Sequence, residues 1–269
     1  MSPKHVVRST FPALLLLLAI PGPGLAREDG VRGLEVGSSP DRKLSHPIEI
    51  TEPGAYELRR DLFAADVAII IRANQVTLDL GGHALRGPGG SGVAIRVENS
   101  SGVEVHNGSL GSFGLGVEVR KSRNVKLEHL RIVGEDRGGT PPNIEIGVMI
   151  VDSRGVVVAH NVIVDTFLGV FVRGGGSAGN RITENVVTGG QKGQLGICYN
   201  PADGEGPAGP RGDLVYDNLI SRFHTGISLS AESVTNIVRN NDIAFLVIAI
   251  SEASPGTNVV ANNVTVQTF

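Results

Sequence analysis

The chain has 269 residues, 37 of them glycine, three tyrosine, one cysteine and no tryptophan, with a formal charge of −3. A single cysteine excludes a disulfide scaffold and a cysteine-rich zinc module, and a near-neutral balance without a basic stripe excludes nucleic acid as the expected partner. Glycine stands at about twice its ordinary share; it has no G-X-Y period and is interrupted by Val/Ile-rich stretches, which excludes collagen and disorder and leaves a glycine-punctuated β protein.

Residues 1–26 read as a secretory signal peptide. Lys4 and Arg8 form a positive start, Phe11 to Ile20 an apolar core, and Gly24-Leu25-Ala26 a small-residue cleavage site. The apolar part is too short for a stable membrane anchor. Its removal leaves 22 basic against 27 acidic residues, a charge of −5. The expectation is a secreted or periplasmic protein with no membrane association after signal cleavage. Residues 27–45 lack periodicity and read as a flexible leader, and 46–269 as one domain.

Two markers then repeat along the chain. A glycine followed by alternating apolar residues recurs at Gly92-Val93-Ala94-Ile95, Gly116-Val117-Glu118-Val119, Gly147-Val148-Met149-Ile150, Gly169-Val170-Phe171-Val172, Gly196-Ile197-Cys198-Tyr199 and Gly226-Ile227-Ser228-Leu229. Beside it, an asparagine flanked by apolar residues recurs at Asn161, Asn185, Asn218 and Asn241, with a near repeat at Asn263. A base period of 22–24 residues with occasional insertions describes a coil of short strands, each completed only by the coil stacked on it. The asparagines are expected to stack at one bend, satisfying turn backbone and pairing with one another. The glycines are expected to supply unusual backbone angles at another corner.

Ile50-Thr51-Glu52-Pro53-Gly54-Ala55-Tyr56-Glu57-Leu58 and Val76-Thr77-Leu78-Asp79-Leu80-Gly81-Gly82-His83, with the repeat that follows, resemble the right-handed parallel β-helix proteins of the pectin-lyase-like superfamily. The resemblance covers about residues 48–269 and implies an all-β, single-stranded parallel β-helix of about eight coils. Right-handedness follows from the general bias of parallel crossovers. The paired-Asp and Gly-His-Gly signatures of polygalacturonases, the Asp-Pro-His-Asp signature of alginate epimerases and the Arg-x-Pro-x-x-Arg element of pectate lyases are absent, so no catalytic role is carried over from the family.

In such a coil, positions one and three after each glycine face inward, and positions two and four face out. The fourth position reads Arg96, Arg120, Val151, Arg173, Asn200, Ser230, Ser251, and the second Ala94, Glu118, Met149, Phe171, Cys198, Ser228, Ala249. Three arginines within four rungs form a track for an anionic polysaccharide such as a polyuronate, because guanidinium pairs bidentately with carboxylate. Insertions at Glu135–Ile146, Thr188–Leu195 and Asn200–Asp213 fall beside this stripe, where solenoid binding faces commonly lie.

Arg173, Arg120, Glu118 and Asp152 are the candidate catalytic residues. The arginines suit neutralisation of a uronate carboxylate in a lyase, and Glu118 with Asp152, or either with Asp136 or Asp203 from the loops, are the nearest carboxyl combinations for a glycosidase. Arg96, Asn200, Phe171 and Met149 are the candidate substrate-binding residues. The alternatives stand beside these: the arginines as solvated surface, Arg120 paired with Glu118 or Glu98, and Met149 and Phe171 as anchors for neighbouring loops.

His106, His129 and His160 lie at or next to the asparagine bend and read as turn residues rather than metal ligands. No metal site is assigned; a calcium site from Glu135, Asp136, Asp203 and Glu205 stays open, although no loop has a dedicated calcium pattern. The final Val264 to Phe269 leaves a strand edge open, so both a monomer capped by Phe269 and an end-to-end homodimer are consistent with the sequence. Two functions are therefore expected: binding, with or without cleavage by a lyase or hydrolase, of an anionic polysaccharide, or a non-catalytic surface or periplasmic binding or structural module.

Overall fold

Short strands with aliphatic residues at every second position can be stable only when stacked, and the computed structural model of the chain shows that stack. It describes residues 30–34, 43–134, 145–191, 193–200 and 208–268. These form 23 strands, every pairing between them parallel, wound as a solenoid of about nine turns with no helix among the described residues. Away from the two ends of the stack, each strand pairs with one coil below and one above. In Ile146–Val151, Val148 and Ile150 lie over Val117 and Val119 and beneath Val170 and Val172. All six are fully buried. Val, Ile and Leu fill the interior, and Tyr199 and Phe223 are its largest completely buried side chains.

The stack begins earlier than expected. Val31–Leu34 pairs with Ala55 to Leu58, and Lys43–Leu44 with Phe63 and Ala64. The described part of the segment read as a leader is therefore paired strand, held by the inward Leu34 and Leu44. Residues 1–26, read as a signal peptide, lie outside the described residues.

The asparagine bend is a continuous ladder. The backbone N–H of Asn161 donates to Oδ1 of Asn185 at 3.0 Å, that of Asn185 to Asn218 at 3.1 Å, that of Asn218 to Asn241 at 3.1 Å and that of Asn241 to Asn263 at 2.9 Å. Each Nδ2 donates along the same direction and also back to a carbonyl of the preceding coil, as Asn185 does to Val158. Nearly every polar atom of these buried amides is thus used. A second ladder, five residues upstream in each coil, runs through Asn180, Asp213, Asn236 and Asn258. A third line of buried serines, Ser100, Ser122, Ser153 and Ser177, joins consecutive corners on the opposite side of the strands.

The repeated glycines serve a different purpose from the one expected. Gly116, Gly147, Gly169, Gly196 and Gly226 have no positive φ; any residue adopts their backbone angles. They are glycines because there is no room for a side chain. A Cβ on Gly147 would lie 2.5 Å from Ile163 Cγ2 and 2.6 Å from the carbonyl oxygen of Gly169, and its counterparts meet the same two kinds of neighbour. The left-handed positions are instead filled largely by non-glycine residues, among them Lys121, Asp152, His129 and His160.

At the C-terminal end the last coil has nothing stacked on it among the described residues. Val259, Val264 and Val266 are 57%, 59% and 57% exposed. Phe269, the expected cap, lies outside the described residues.

Candidate functional site

The strands ending at Glu98, Arg120, Val151, Arg173 and Asn200 lie side by side and present one outer face. Their register corrects the column read from the sequence. Arg96 lies opposite Glu118, and Glu98 opposite Arg120. Arg96 therefore heads the inner line Arg96, Glu118, Met149, Phe171, Cys198, Ser228, whereas the outer line is Glu98, Arg120, Val151, Arg173, Asn200. The cause is local: the pairing is irregular between Arg86 and Ser91, and Ala94, not Gly92, stands beneath Gly116. Gly92 is the one member of its series with a left-handed backbone, φ +75°. At the other end Ser251 pairs with Ser228, so it too belongs to the inner line.

This shift brings Arg96 and Arg120 onto one carboxylate. Arg96 Nε donates to Glu118 Oε2 at 2.6 Å, and Arg120 Nη1 lies 3.5 Å from Oε1. Glu118 is 4% exposed, enclosed by the two arginine side chains, and the cluster has a net charge of +1. Glu98, the other acid within reach, is drawn to Arg72 at 2.5 Å. Two rungs further along, the Arg173 guanidinium sits 5.9 Å from the centre of the Phe171 ring, a cation–π arrangement. Met149 lies between Glu118 and Phe171 and is partly buried; Asn200 is exposed beside Arg173.

Asp152 occupies the corner that follows Val151, with φ 47°. Its Oδ1 accepts the N–H of Gly176 at 3.0 Å and so ties one corner to the next. Glu118 and Asp152 are separated by one rung and three positions along the strand, and each is engaged in a different contact. The loops at 135–144 and 201–207, with the calcium candidates Glu135, Asp136, Asp203 and Glu205, lie outside the described residues.

Three cations went unnoticed in the sequence: Lys121, Arg123 and Arg154. With Ser122, Asp152 and Gly176 they line a cavity of about 250 Å³ at the corner just beyond Arg120. The signal that marks them is a pair of triplets, Lys121-Ser122-Arg123 and Asp152-Ser153-Arg154. In each, the serine turns inward into the buried serine line while its neighbours point out.

Histidine and cysteine contribute little to this face. His129 and His160 stack in parallel, ring centres 5.4 Å apart and planes at 15°, and His160 Nδ1 lies 3.3 Å from Glu184. His106 is one position out of that line, opposite Glu128. Burial pushes the Cys198 thiol up to about 12, away from the thiolate that binds metals. Among the described residues no three of His, Cys, Asp or Glu converge as metal ligands.

The sequence pattern of the family described as "Periplasmic copper-binding protein (NosD)" matches residues 68–267. The chain belongs to this family. A NosD-family chain is periplasmic, in keeping with the export expected from its sequence. No curated protein matches the sequence. Among solved structures, the GH136 lacto-N-biosidase from Eubacterium ramulus superposes with a TM-score of 0.58 at 10% identity, covering 88% of this chain and 48% of that one. The Dettilon tailspike protein gives 0.58 at 12% identity, covering 88% and 55%. The exopolygalacturonase from Thermotoga maritima gives 0.52 at 10% identity, covering 78% and 54%. The chain spans about half the length of each, and at these identities the likeness is one of fold.

Proposed function

We propose that this periplasmic β-helix protein binds an anionic polysaccharide along the face bearing Arg96, Arg120 and Arg173. The observation that carries the reading is the Arg96–Glu118–Arg120 cluster with Arg173 two rungs away: two guanidiniums share one buried carboxylate and a third extends the same face, on a protein whose net charge is negative. Rungs of a parallel sheet repeat every ~4.8 Å, so charges two rungs apart lie ~9.6 Å apart, on the scale of a disaccharide. Phe171 and Met149 provide an apolar floor between them. Polysaccharide-active enzymes among proteins of the same fold support the substrate class.

Binding without cleavage is the better-supported form of this reading. Glu118, the best-placed carboxylate on the face, has an arginine against each oxygen, which leaves it occupied rather than free as an acid or nucleophile. If turnover occurs, Arg120 and Arg173 are the groups to neutralise a uronate carboxylate. The test is a panel of polyuronates and neutral glycans assayed for both retention and depolymerisation. Salt-sensitive retention of polyuronates is expected; selective retention of neutral glycans refutes the reading.

Copper, named in the family's description, does not fit the residues described. The single cysteine is buried with its thiol pushed up to about 12, and among the described residues the paired imidazoles His129 and His160 present their faces to each other rather than their nitrogens to a common point. No step of the proposed function runs through a metal.

A further inference from the structure

The cavity beyond Arg120 has the chemistry of a specific subsite. Lys121 and Asp152 occupy the same left-handed corner of consecutive coils, φ 47° in both, and their N–H groups donate upward to Val151 and Arg173. Arg123 and Arg154 are bridged directly, backbone to backbone, so their side chains leave the solenoid one rung apart. Ser122 is 1% exposed and anchored at both ends: its Oγ donates to Arg120 and its N–H to Ser153 Oγ. The walls are therefore fixed by interior hydrogen bonds, and only the charged side chains face the cavity.

Those side chains are unbalanced. Arg154 is oriented by one bond from Nε to the Gly176 carbonyl at 3.1 Å, which leaves its terminal nitrogens without a partner among the described residues. Neither Lys121 nor Arg123 forms an ion pair with any described residue. Three cations thus converge with one carboxylate, Asp152, whose Oδ1 already holds the Gly176 N–H. Clustered like charges repel, and a bound anion relieves that repulsion.

We infer that this cavity binds a single uronate residue, its carboxylate held by Arg123 and Arg154 with Lys121, and a neighbouring hydroxyl donating to Asp152. The inference rests on the polyuronate reading above and narrows it to one sugar position. Two features select a uronate over a bare inorganic anion. Asp152 repels a multiply charged phosphate or sulfate but accepts a hydrogen bond from a sugar hydroxyl. A volume of about 250 Å³ lies below the ~300–1,000 Å³ usual for larger ligands and suits one sugar ring.

The test titrates the full-length protein, wild type and the variants R123A, R154A and D152N, with D-galacturonate, D-glucuronate, D-galactose and inorganic phosphate by ligand-observed NMR. All three positions are surface-exposed or partly so, and thermal melts confirm that each variant is folded. A uronate is expected to bind the wild type, galactose to bind at least tenfold more weakly, and R123A and R154A each to weaken uronate binding at least tenfold. D152N is expected to weaken uronate binding and strengthen phosphate binding. Uronate affinity unchanged in R123A and R154A overturns the assignment, as does phosphate binding the wild type more tightly than either uronate. Polyuronate retention, measured separately, reports on the arginine face: retention without monomer binding removes this subsite alone, whereas loss of both removes the reading beneath it.

Discussion

The backbone N–H of Asn180 donates to Oδ1 of Asp213 at 2.8 Å, so a carboxyl group occupies one rung of an otherwise all-asparagine ladder. Asn180 Nδ2 reaches both oxygens of Asp213, and the Asp213 N–H continues the line to Asn236 at 2.9 Å. Nearby, the Tyr199 hydroxyl is buried without a well-formed hydrogen bond, and Asp213 is the charged group acting on it.

Burial pushes Asp213 up to about 6 from 3.8, against the opposing pull of the Asn180 N–H groups. The folded state thus holds the Asp213 proton more tightly than the unfolded state. The stability it contributes is complete below pH ~4 and lost as pH rises through about 6, on the order of 3 kcal/mol in all. Asp213→Asn restores a neutral amide to the ladder. Urea denaturation at pH 4 and pH 8 should show the variant gaining stability over wild type mainly at pH 8. Equal loss at both values would mean that the carboxylate is well accommodated when charged.

Ladder position sets the cost of removing an asparagine. Asn185 is 1% exposed and bonds Val158, Thr183 and Asn218 while accepting from Asn161, so Asn185→Ala strands several buried groups. At ~1–3 kcal/mol per unsatisfied group, a loss of roughly 3–5 kcal/mol is expected. Asn263 lies in the exposed last coil, where water replaces the lost bonds, and Asn263→Ala should cost less than half as much by the same measurement.

The glycine column makes a steric prediction. Gly147→Ala places a methyl 2.5 Å from Ile163 and 2.6 Å from the Gly169 carbonyl oxygen. A loss of about 1–3 kcal/mol is expected from overpacking. Pairing it with Ile163→Ala, which removes the opposing Cγ2, should leave the double variant less destabilised than the sum of the two single variants, a partial recovery read in thermal melts. A simple left-handed-backbone role for Gly147 predicts no such recovery.

Glu118 tempers the charge of the face. Glu118→Gln removes the acid shared by Arg96 and Arg120 and adds one unit of positive charge. Stability should fall by about 1–3 kcal/mol, while polyuronate affinity at low salt should rise severalfold. Weaker polyuronate binding by a folded variant would place Glu118 in direct contact with the ligand.

The fold was legible because its two markers are written in residue type: aliphatic pairs at alternate positions and an asparagine at a constant bend. The second ladder escaped notice although it stands five residues before the first in four coils, because Asp213 interrupts its asparagines. The line of Arg96 was misread for a related reason. Gly92 copies the glycine of later coils in sequence but sits at an irregularity, so sequence spacing and rung spacing part company there. The corner cations Lys121, Arg123 and Arg154 were hidden more deeply, since Lys121 and Asp152 share a position through stacking rather than through similarity. Stacking between coils, which no single repeat reveals, creates both the Arg96–Glu118 contact and the corner cavity.

The central claim is that the arginine face holds an anionic glycan, and the double variant Arg120→Ala/Arg173→Ala tests it most directly. Isothermal titration with a polyuronate at low salt should show at least a tenfold loss of affinity relative to wild type, with the thermal midpoint little changed because both side chains lie on the outer face. Unchanged polyuronate affinity in a folded double variant would contradict the account.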